Sequence, residues 1–455
     1  MAVLAVATCA LLFGPNRWGT AIFVWTCCLL GYGQGIELGG AAFFLLRVFV
    51  VIGLIKILAI GPRPPGGWSS LDYLIVMFGV WQLVSCVFHL DARSYLIQQC
   101  GAVLEATGVY FVTRRLTTDL KSPSGYAWTH AIVFIPIAIL MAIEYTTLMN
   151  YFGYLGLGHW EPLIRDGRPR AYGPFQHPIL AGTIGATAIP LFVGILRSKP
   201  VTAIVGTAAA LVMVVTSASS GPIVALTGGV AALCAWPLRR NMRQVRWGIF
   251  GLYLLLDLMM KAPAYYLFAR IDLTGSSAGY HRAELIDTAI KHFNEWWLGG
   301  TDYTRHWMPT GVTWSENHTD ITNHYLHYGV IGGFLLMALF IACLLCGFVY
   351  LGRLMRRAAG ENRDYQFFLW CISSSLFAHS FAFLSVRYYD QSLAFVFMLL
   401  ALSATLYQTN RGAEEKIPSK ANEVRGRLNA RRLYDTGEEV LWFPLQQSNE
   451  RCQYP

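Results

Sequence analysis

The chain has 455 residues, of which 55% are hydrophobic and 13% charged, and its formal net charge is +9. A soluble globular protein carries about 25% charged residues. This composition, with a mean hydropathy of +0.43 and repeated apolar runs of spanning length, excludes a soluble enzyme and implies a polytopic helical membrane protein.

The runs do not alternate apolar with polar residues, which excludes a membrane β-barrel. The N-terminal stretch, MAVLAVATCALLFGPNRWGT, has no basic residue ahead of its apolar run. It reads as a short first span or a re-entrant piece rather than a cleaved signal. In chain order the apolar segments fall at 2–13, 18–33, 41–60, 71–90, 97–114, 126–148, 179–196, 201–218, 221–237, 247–262, 325–351, 366–386 and 391–408. This spacing predicts an all-α polytopic membrane protein with about 12–13 transmembrane helices, the first segment being too short to cross alone. The chain shows no internal repeat.

Basic residues cluster between these segments, at Pro62–Arg63, Arg114–Lys121, Arg197–Lys199, Arg239–Arg246, Arg353–Arg363 and from Arg411 onward. That distribution is the positive-inside signal and not a nucleic-acid groove, so it predicts that these clusters face the cytoplasm. The segments 91–96, 149–178, 261–324 and 387–390 then share the opposite face. The tail 409–455 mixes charges of both signs with little apolar content and is expected to be flexible and cytoplasmic. Neither long polar loop contains any of the ten cysteines, which excludes a disulfide framework and a cysteine zinc site there. The segment TSASSGPIVAL at 216–226 reads as a tight helical hairpin, or as a place where backbone approaches a ligand or another helix.

The first outer loop, Asn150 to Pro178, carries Arg165, Arg168 and Arg170 on a face where the positive-inside rule thins out arginine. A guanidinium fork matches phosphate oxygens bidentately, so these arginines predict an anionic ligand. The competing reading is a surface loop with ion pairs to Glu161 and Asp166. The second loop belongs to the polar stretch from Lys261 to Gly333. It gathers His281, Arg282, Asp287, His292, Arg305, His306, His318, Asp320 and His324 among Trp296, Trp297, Trp307 and Trp314. A connector needs only a few residues, and one this long reads as an active-site or binding loop.

Arginines from two loops and histidines from one suit a transferase acting on a lipid diphosphate at the membrane surface. Arginine stays cationic and can meet charge developing on a departing diphosphate. Histidine titrates near neutrality and can take a proton from an attacking hydroxyl. Asp320 would raise the pKa of His318 and neighbouring arginines would lower it. This chemistry needs no metal and no cofactor. A metal site at His318, Asp320 and His324 lacks an i,i+4 histidine pair and an obvious further ligand. A transporter or flippase for such lipids is the alternative class, but it would need charged residues deep in its spans. Lys56 and Glu105 are among the few ionisable residues near a span centre.

Three stretches carry a family resemblance. They are Arg170-Ala-Tyr-Gly-Pro-Phe-Gln-His-Pro-Ile-Leu-Ala, then Tyr280-His-Arg-Ala-Glu-Leu with Trp297-Leu-Gly-Gly, and His318-Thr followed later by Gly329-Val-Ile-Gly332. In their order and outward placement they resemble the O-antigen ligase and polymerase superfamily, bacterial membrane glycosyltransferases that use undecaprenyl diphosphate-linked sugars. The resemblance implies that Arg170 and Arg282 hold the donor diphosphate and that His318 is the acceptor-activating base. Arg165, Arg168, His177, Asp320, Asn323 and His324 are expected to line the substrate site. It also implies a glycan or lipid-linked acceptor, contact with membrane lipids, no nucleic acid, and a site facing the periplasm from the bacterial inner membrane. Thr319 stands where ligases carry Asn, Ser or Gln after the histidine, and the run from Asp320 to Tyr325 is closer to exopolysaccharide polymerases. Ligase or polymerase, and His318 or His324 as the base, therefore stand as alternatives.

Overall fold

The computed structural model describes residues 2–31, 34–38, 41–59, 67–119, 124–157, 159–267, 278–313, 315–359 and 362–411. Arg63, Lys121, Trp314 and the tail from residue 412 lie outside the described residues. A helix lies over each apolar segment of the sequence. In order these are α1 (Ala2–Phe13), α2 (Gly19–Leu29), α3 (Leu45–Ala59), α4 (Ser70–Val84), α5 (Ala92–Leu116), α6 (Ser124–Thr147), α7 (Pro178–Gly194), α8 (Pro200–Thr216), α9 (Ser220–Cys234) and α10 (Met242–Met259). The polar stretch supplies α11 (Ala278–Lys291) and the single turn α12 (Phe293–Trp296). Helices α13 (His324–Arg357), α14 (Arg363–Ala382) and α15 (Ser392–Arg411) follow.

Among the described residues, four helices are long and apolar enough to cross a membrane: Ser70–Phe88, Ser124–Thr147, His324–Arg357 and Ser392–Arg411. The pair Ser220–Cys234 and Trp236–Met259, bent by 71°, adds a fifth if it is one span. This falls short of the number expected from the apolar segments, for two physical reasons. The apolar helices α1, α2, α7 and α8 hold only 10–17 residues, and a helix of 17 rises about 26 Å against roughly 30 Å of hydrocarbon. Helices α5 and α14 are long but polar in part: α5 carries Arg93, Glu105, Arg114 and Arg115, and α14 carries Arg363, Asp364, three serines in a row and His379.

The described chain is mostly helical, as expected, with two small antiparallel hairpins that the sequence did not announce, β1 (Gly35–Leu38) with β2 (Ala41–Phe44) and β3 (Leu163–Arg165) with β4 (Arg168–Arg170). Asp166 (φ 52°) and Gly167 (φ 73°) form the tight turn of the second, the Asp-Gly pair that a two-residue hairpin turn favours. Around α7, whose residues from Leu180 to Phe192 are all buried, pack α6, α8, α9 and α14.

Helix α13 breaks at Gly332 and Gly333, and the break is where the large polar loop docks. Phe334 N–H donates to the Trp297 carbonyl (2.8 Å), Thr301 N–H to the Val330 carbonyl (2.9 Å), and Trp81 Nε1–H to the Gly332 carbonyl (2.8 Å). Backbone groups freed by the kink are thus satisfied from outside the helix. Gly333 (φ 76°) and Gly300 (φ 94°) allow the approach: a Cβ there would lie 2.4 Å from the Leu298 carbonyl oxygen and 2.2 Å from that of Val330, respectively. The two glycine motifs singled out in the sequence, 297–300 and 329–332, are therefore one contact.

Candidate functional site

Of the four segments that charge placement assigns to one face, 149–178 and 261–324 are each hydrogen-bonded to 387–390, and His89 and Leu90, just ahead of 91–96, are bonded to Asp302 in 261–324. From the 89–95 connection, His89 Nδ1 meets Asp302 Oδ1 at 2.5 Å and Leu90 N–H donates to Asp302 Oδ2 at 2.7 Å. The His89 ring also stacks on Tyr95 at 3.8 Å. From the first long loop, the Pro174 carbonyl accepts from Gln391 Nε2 (2.7 Å) and Gln176 N–H donates to Asp390 Oδ2 (3.0 Å). From the large loop, His324 N–H donates to the Phe383 carbonyl at 2.8 Å, and the Tyr388 N–H donates to His324 Nδ1 at 3.3 Å. The turn 383–391, between α14 and α15, is the hub of these ties.

Arg170 ends β4 and is buried. Its Nε–H donates to the Ser217 carbonyl at 3.3 Å and its Nη2 to Ser219 Oγ, which accounts for two of its five N–H groups. The small-residue segment after α8 is a tight hairpin, and it also cradles this guanidinium. The following backbone is fixed by Ala171 N–H on the Thr216 carbonyl (2.9 Å) and by buried Glu144, whose carboxylate accepts Tyr172 N–H (2.7 Å) and Gly173 N–H (2.9 Å). Burial, then the charge of Arg165, lower the Arg170 pKa, while Tyr389 is among the groups that raise it.

Arg165 and Arg168 face each other across the exposed hairpin. Arg165 Nε lies 3.7 Å from Asp166 Oδ2 with both side chains open to water, so the surface ion pair weighed above is present, and such pairs contribute little. Arg305 turns back on its own loop, donating to the carbonyls of Met308 (2.8 Å), Gly311 (3.2 Å) and Pro309. His177 caps α7, its Nδ1 accepting Ile179 N–H at 3.1 Å. Burial, followed by the charges of Arg170, His159 and Arg165, brings its pKa down to about 4.

His318 sits half-buried on a pinned turn. Thr304 N–H and Arg305 N–H donate to the Asn317 carbonyl (2.9 and 3.0 Å), and Asp320 N–H to the Val312 carbonyl (2.9 Å). His318 Nδ1 lies 3.3 Å from Thr304 Oγ1, which also accepts Thr319 N–H at 3.2 Å. Burial lowers the His318 pKa; Asp302 raises it, and Arg387 and His89 lower it further. The carboxylate that raises it is thus Asp302, where the sequence pointed to Asp320. Asp320 is half-buried, its carboxyl raised by burial and lowered by His281 and Arg387. The Asp320 carbonyl lies 3.1 Å from His281 Nε2 on α11, next to half-buried Arg282.

Asn323 and His324 hold structure. Asn323 Oδ1 caps α13, accepting Tyr325 N–H (2.9 Å) and Leu326 N–H (3.1 Å). His324 is 1% exposed, with Phe383, Tyr328, Phe340 and Tyr388 around its ring at 4.7–5.7 Å. The groups considered as a metal site, His318, Asp320 and His324, do not converge among the described residues; His292, Glu295 and His306 do.

Sequence reasoning passed over Arg387. Its pKa is lowered by burial and raised by Asp320, Tyr389 and Tyr95, and its charge acts on His318 and on Asp320. Tyr389 responds to Arg387, Asp320 and Tyr172 together. These couplings connect the Arg170 neighbourhood to that of His318 through the 387–390 turn. An arginine in RYYDQ on the arginine-poor face was the available signal. An apolar cavity of about 650 Å³, lined by Val3, Trp18, Trp25 and Trp128 among others, lies among α1, α2 and α6 and shares no residue with this cluster. Against protein-family models and against curated proteins, the chain finds no match.

Proposed function

We propose that the chain is an inner-membrane glycosyltransferase of the O-antigen ligase or polymerase type, acting on undecaprenyl diphosphate-linked glycan at the periplasmic face in cell-surface polysaccharide biosynthesis. The observation that carries this reading is the joining, at one end of the bundle, of a cradled arginine, a half-buried histidine of lowered pKa and Arg387. The family resemblance adds Arg282, and the full count of about 12–13 spans belongs to the same proposal.

In the tautomer whose Nδ1–H donates to Thr304 Oγ1, 3.3 Å away, neutral His318 presents Nε2 as the lone-pair nitrogen. It takes the proton of an acceptor hydroxyl as that oxygen bonds to the anomeric carbon of the donor sugar. The bond from that carbon to the diphosphate breaks on the opposite face, so the configuration inverts. Undecaprenyl diphosphate departs with the electron pair, and Arg170 and Arg282 meet the growing charge. The sealed position of His324 favours His318 as the base.

The flippase reading is less well supported. Buried Lys56 donates to the carbonyls of Leu11 and Leu12, and Glu105 lies 3.6 Å from Arg47. These ions hold helices together, whereas a transport path needs charges facing a cavity. The deciding experiment supplies lipid-linked oligosaccharide to the purified protein with and without a core acceptor. Elongated lipid-linked chains identify a polymerase and glycan on the core a ligase; vesicle translocation without either product overturns the proposal.

A further inference from the structure

His292, Glu295 and His306 belong to the large polar loop, yet they lie outside the cluster around His318. The imidazole and carboxylate atoms that each offers all lie within 4.8 Å of one another. His292 immediately precedes α12, Glu295 is one helical turn on, and His306 comes from the 3₁₀ turn Arg305–Trp307. Both rings are held in place. His292 stacks on Trp307 at 5.9 Å and 14°, and His306 on Tyr303 at 5.2 Å and 7°. Trp307 Nε1–H donates to Glu295 Oε2 at 3.0 Å, the kind of outer hydrogen bond that fixes a ligating carboxylate. The three side chains are 31–36% exposed, so an ion can enter from water and keep a water of its own.

The geometry points to a binding site for one divalent zinc-class cation, held by His292, Glu295 and His306. Two imidazoles and one carboxylate, with a solvent position left over, make a donor set that zinc takes and that magnesium and calcium do not. At present His292 Nδ1 and His306 Nε2 each face one carboxylate oxygen, at 2.6 and 2.8 Å. Binding replaces these hydrogen bonds with metal–ligand bonds from two neutral imidazoles and the carboxylate, and releases any proton that had been shared; nothing is oxidised or reduced. The ion sits between the end of α11 and the turn that begins at Thr304, so it acts as a clip. It would hold Thr304 and Asp302 in register with His318, without touching any reacting atom.

The test uses the full-length chain in detergent, stripped with chelator and titrated with Zn²⁺ alone and, separately, with Co²⁺ alone. One equivalent of zinc should bind and raise Tm. Cobalt should give the visible absorption of a tetrahedral nitrogen–oxygen site. His306→Ala and His292→Ala should each weaken zinc binding by more than the roughly ten- to hundredfold that loss of an outer hydrogen-bond partner costs. His318→Ala should bind zinc as the parent does. The cobalt spectrum needs no variant, so the inference stays testable if either alanine variant fails to fold. Absence of the cobalt band, no zinc equivalent, or zinc binding unchanged in both alanine variants overturns it. Loss of zinc in His318→Ala alone would place the ion elsewhere and overturn it as well.

Discussion

Asp72 and His89 stand at opposite ends of one helical stretch, Ser70–Phe88, and their surroundings differ in kind. Asp72 is fully buried, and every bond it makes stays within its own neighbourhood: Arg114 Nη1 at 3.0 Å, Tyr110 Oη at 2.7 Å and Ser69 N–H at 2.5 Å. Other cations of the basic clusters are also closed locally. Arg197 pairs with Asp364, Arg239 lies over Trp236, and Arg353 and Arg357 lie over Tyr407. At the other end His89 meets Asp302, which acts on His318, which answers to Arg387, which is tied to Asp320 and Tyr389. Charge closed in pairs holds helices together, whereas charge pooled across several segments can respond to a ligand. The difference between the two ends predicts which substitutions cost rate and which cost stability.

The largest effect belongs to His318→Ala. If His318 is the base, turnover falls by about 10²–10⁴, while donor binding and Tm stay close to the parent because the pinned turn does not depend on the ring. A variant that keeps its rate but loses Tm would make His318 a packing residue and break the comparison at its centre. The acid limb of the rate profile sharpens the point. Burial depresses this histidine, so its neutral form should persist below the ordinary value of 6.5 and the rate should fall only at lower pH.

Arg170→Lys comes next. Lysine keeps the charge but loses the fork that reaches Ser217 and Ser219. The loss of transition-state stabilisation should be roughly 2–4 kcal/mol, tens- to a thousandfold in rate. Ser219→Ala, which removes one cradle contact and no charge, separates positioning from charge and should lose much less. Parent turnover in Arg170→Lys, at equal expression, would remove Arg170 from the pooled end.

Asp72→Asn probes the closed end. It leaves buried Arg114 without its counter-ion, which should cost about 3–5 kcal/mol of stability, with turnover per folded molecule unchanged. A rate loss as deep as that of His318→Ala, at unchanged Tm, would show that charge at the two ends is not divided in this way.

Much of this was legible before any coordinate. Apolar runs placed the helices because burial and hydrocarbon both select them, and of the four connections that basic clusters grouped, 149–178 and 261–324 are each hydrogen-bonded to 387–390. The hairpin at 163–170 was missed because three-residue strands leave no periodicity, though Asp166-Gly167 was in plain view as a turn signal. His318 and His324 look alike in sequence. Only the packing of Phe340 and Phe383, far along the chain, seals one and not the other. Arg387 fell in a connection too short to attract notice, although the reasoning applied to Arg170 covered it equally. His292, Glu295 and His306 meet because the chain folds back at Gly300, which no local spacing records.

The smallest effect concerns His177, at the pooled end but bonded locally as a cap. Its pKa is held down to about 4, first by burial and then by nearby positive charge, against 6.5 in the unfolded chain. The folded state therefore binds this proton less readily than the unfolded one. The stabilisation is fully present above pH 6.5 and is lost as pH falls through about 4, where Nδ1 must give up its acceptor role toward Ile179 N–H. His177→Asn supplies a cap that does not titrate. Between pH 7 and pH 4 the parent should lose on the order of 1–2 kcal/mol more stability than this variant, allowing for the partial exposure of the ring. Thermal melts of both across that range measure it. If His177 only caps, the variant keeps the parent KM at pH 7; a raised KM with an unchanged melting difference would move His177 from the closed class into the substrate site that the sequence predicted for it.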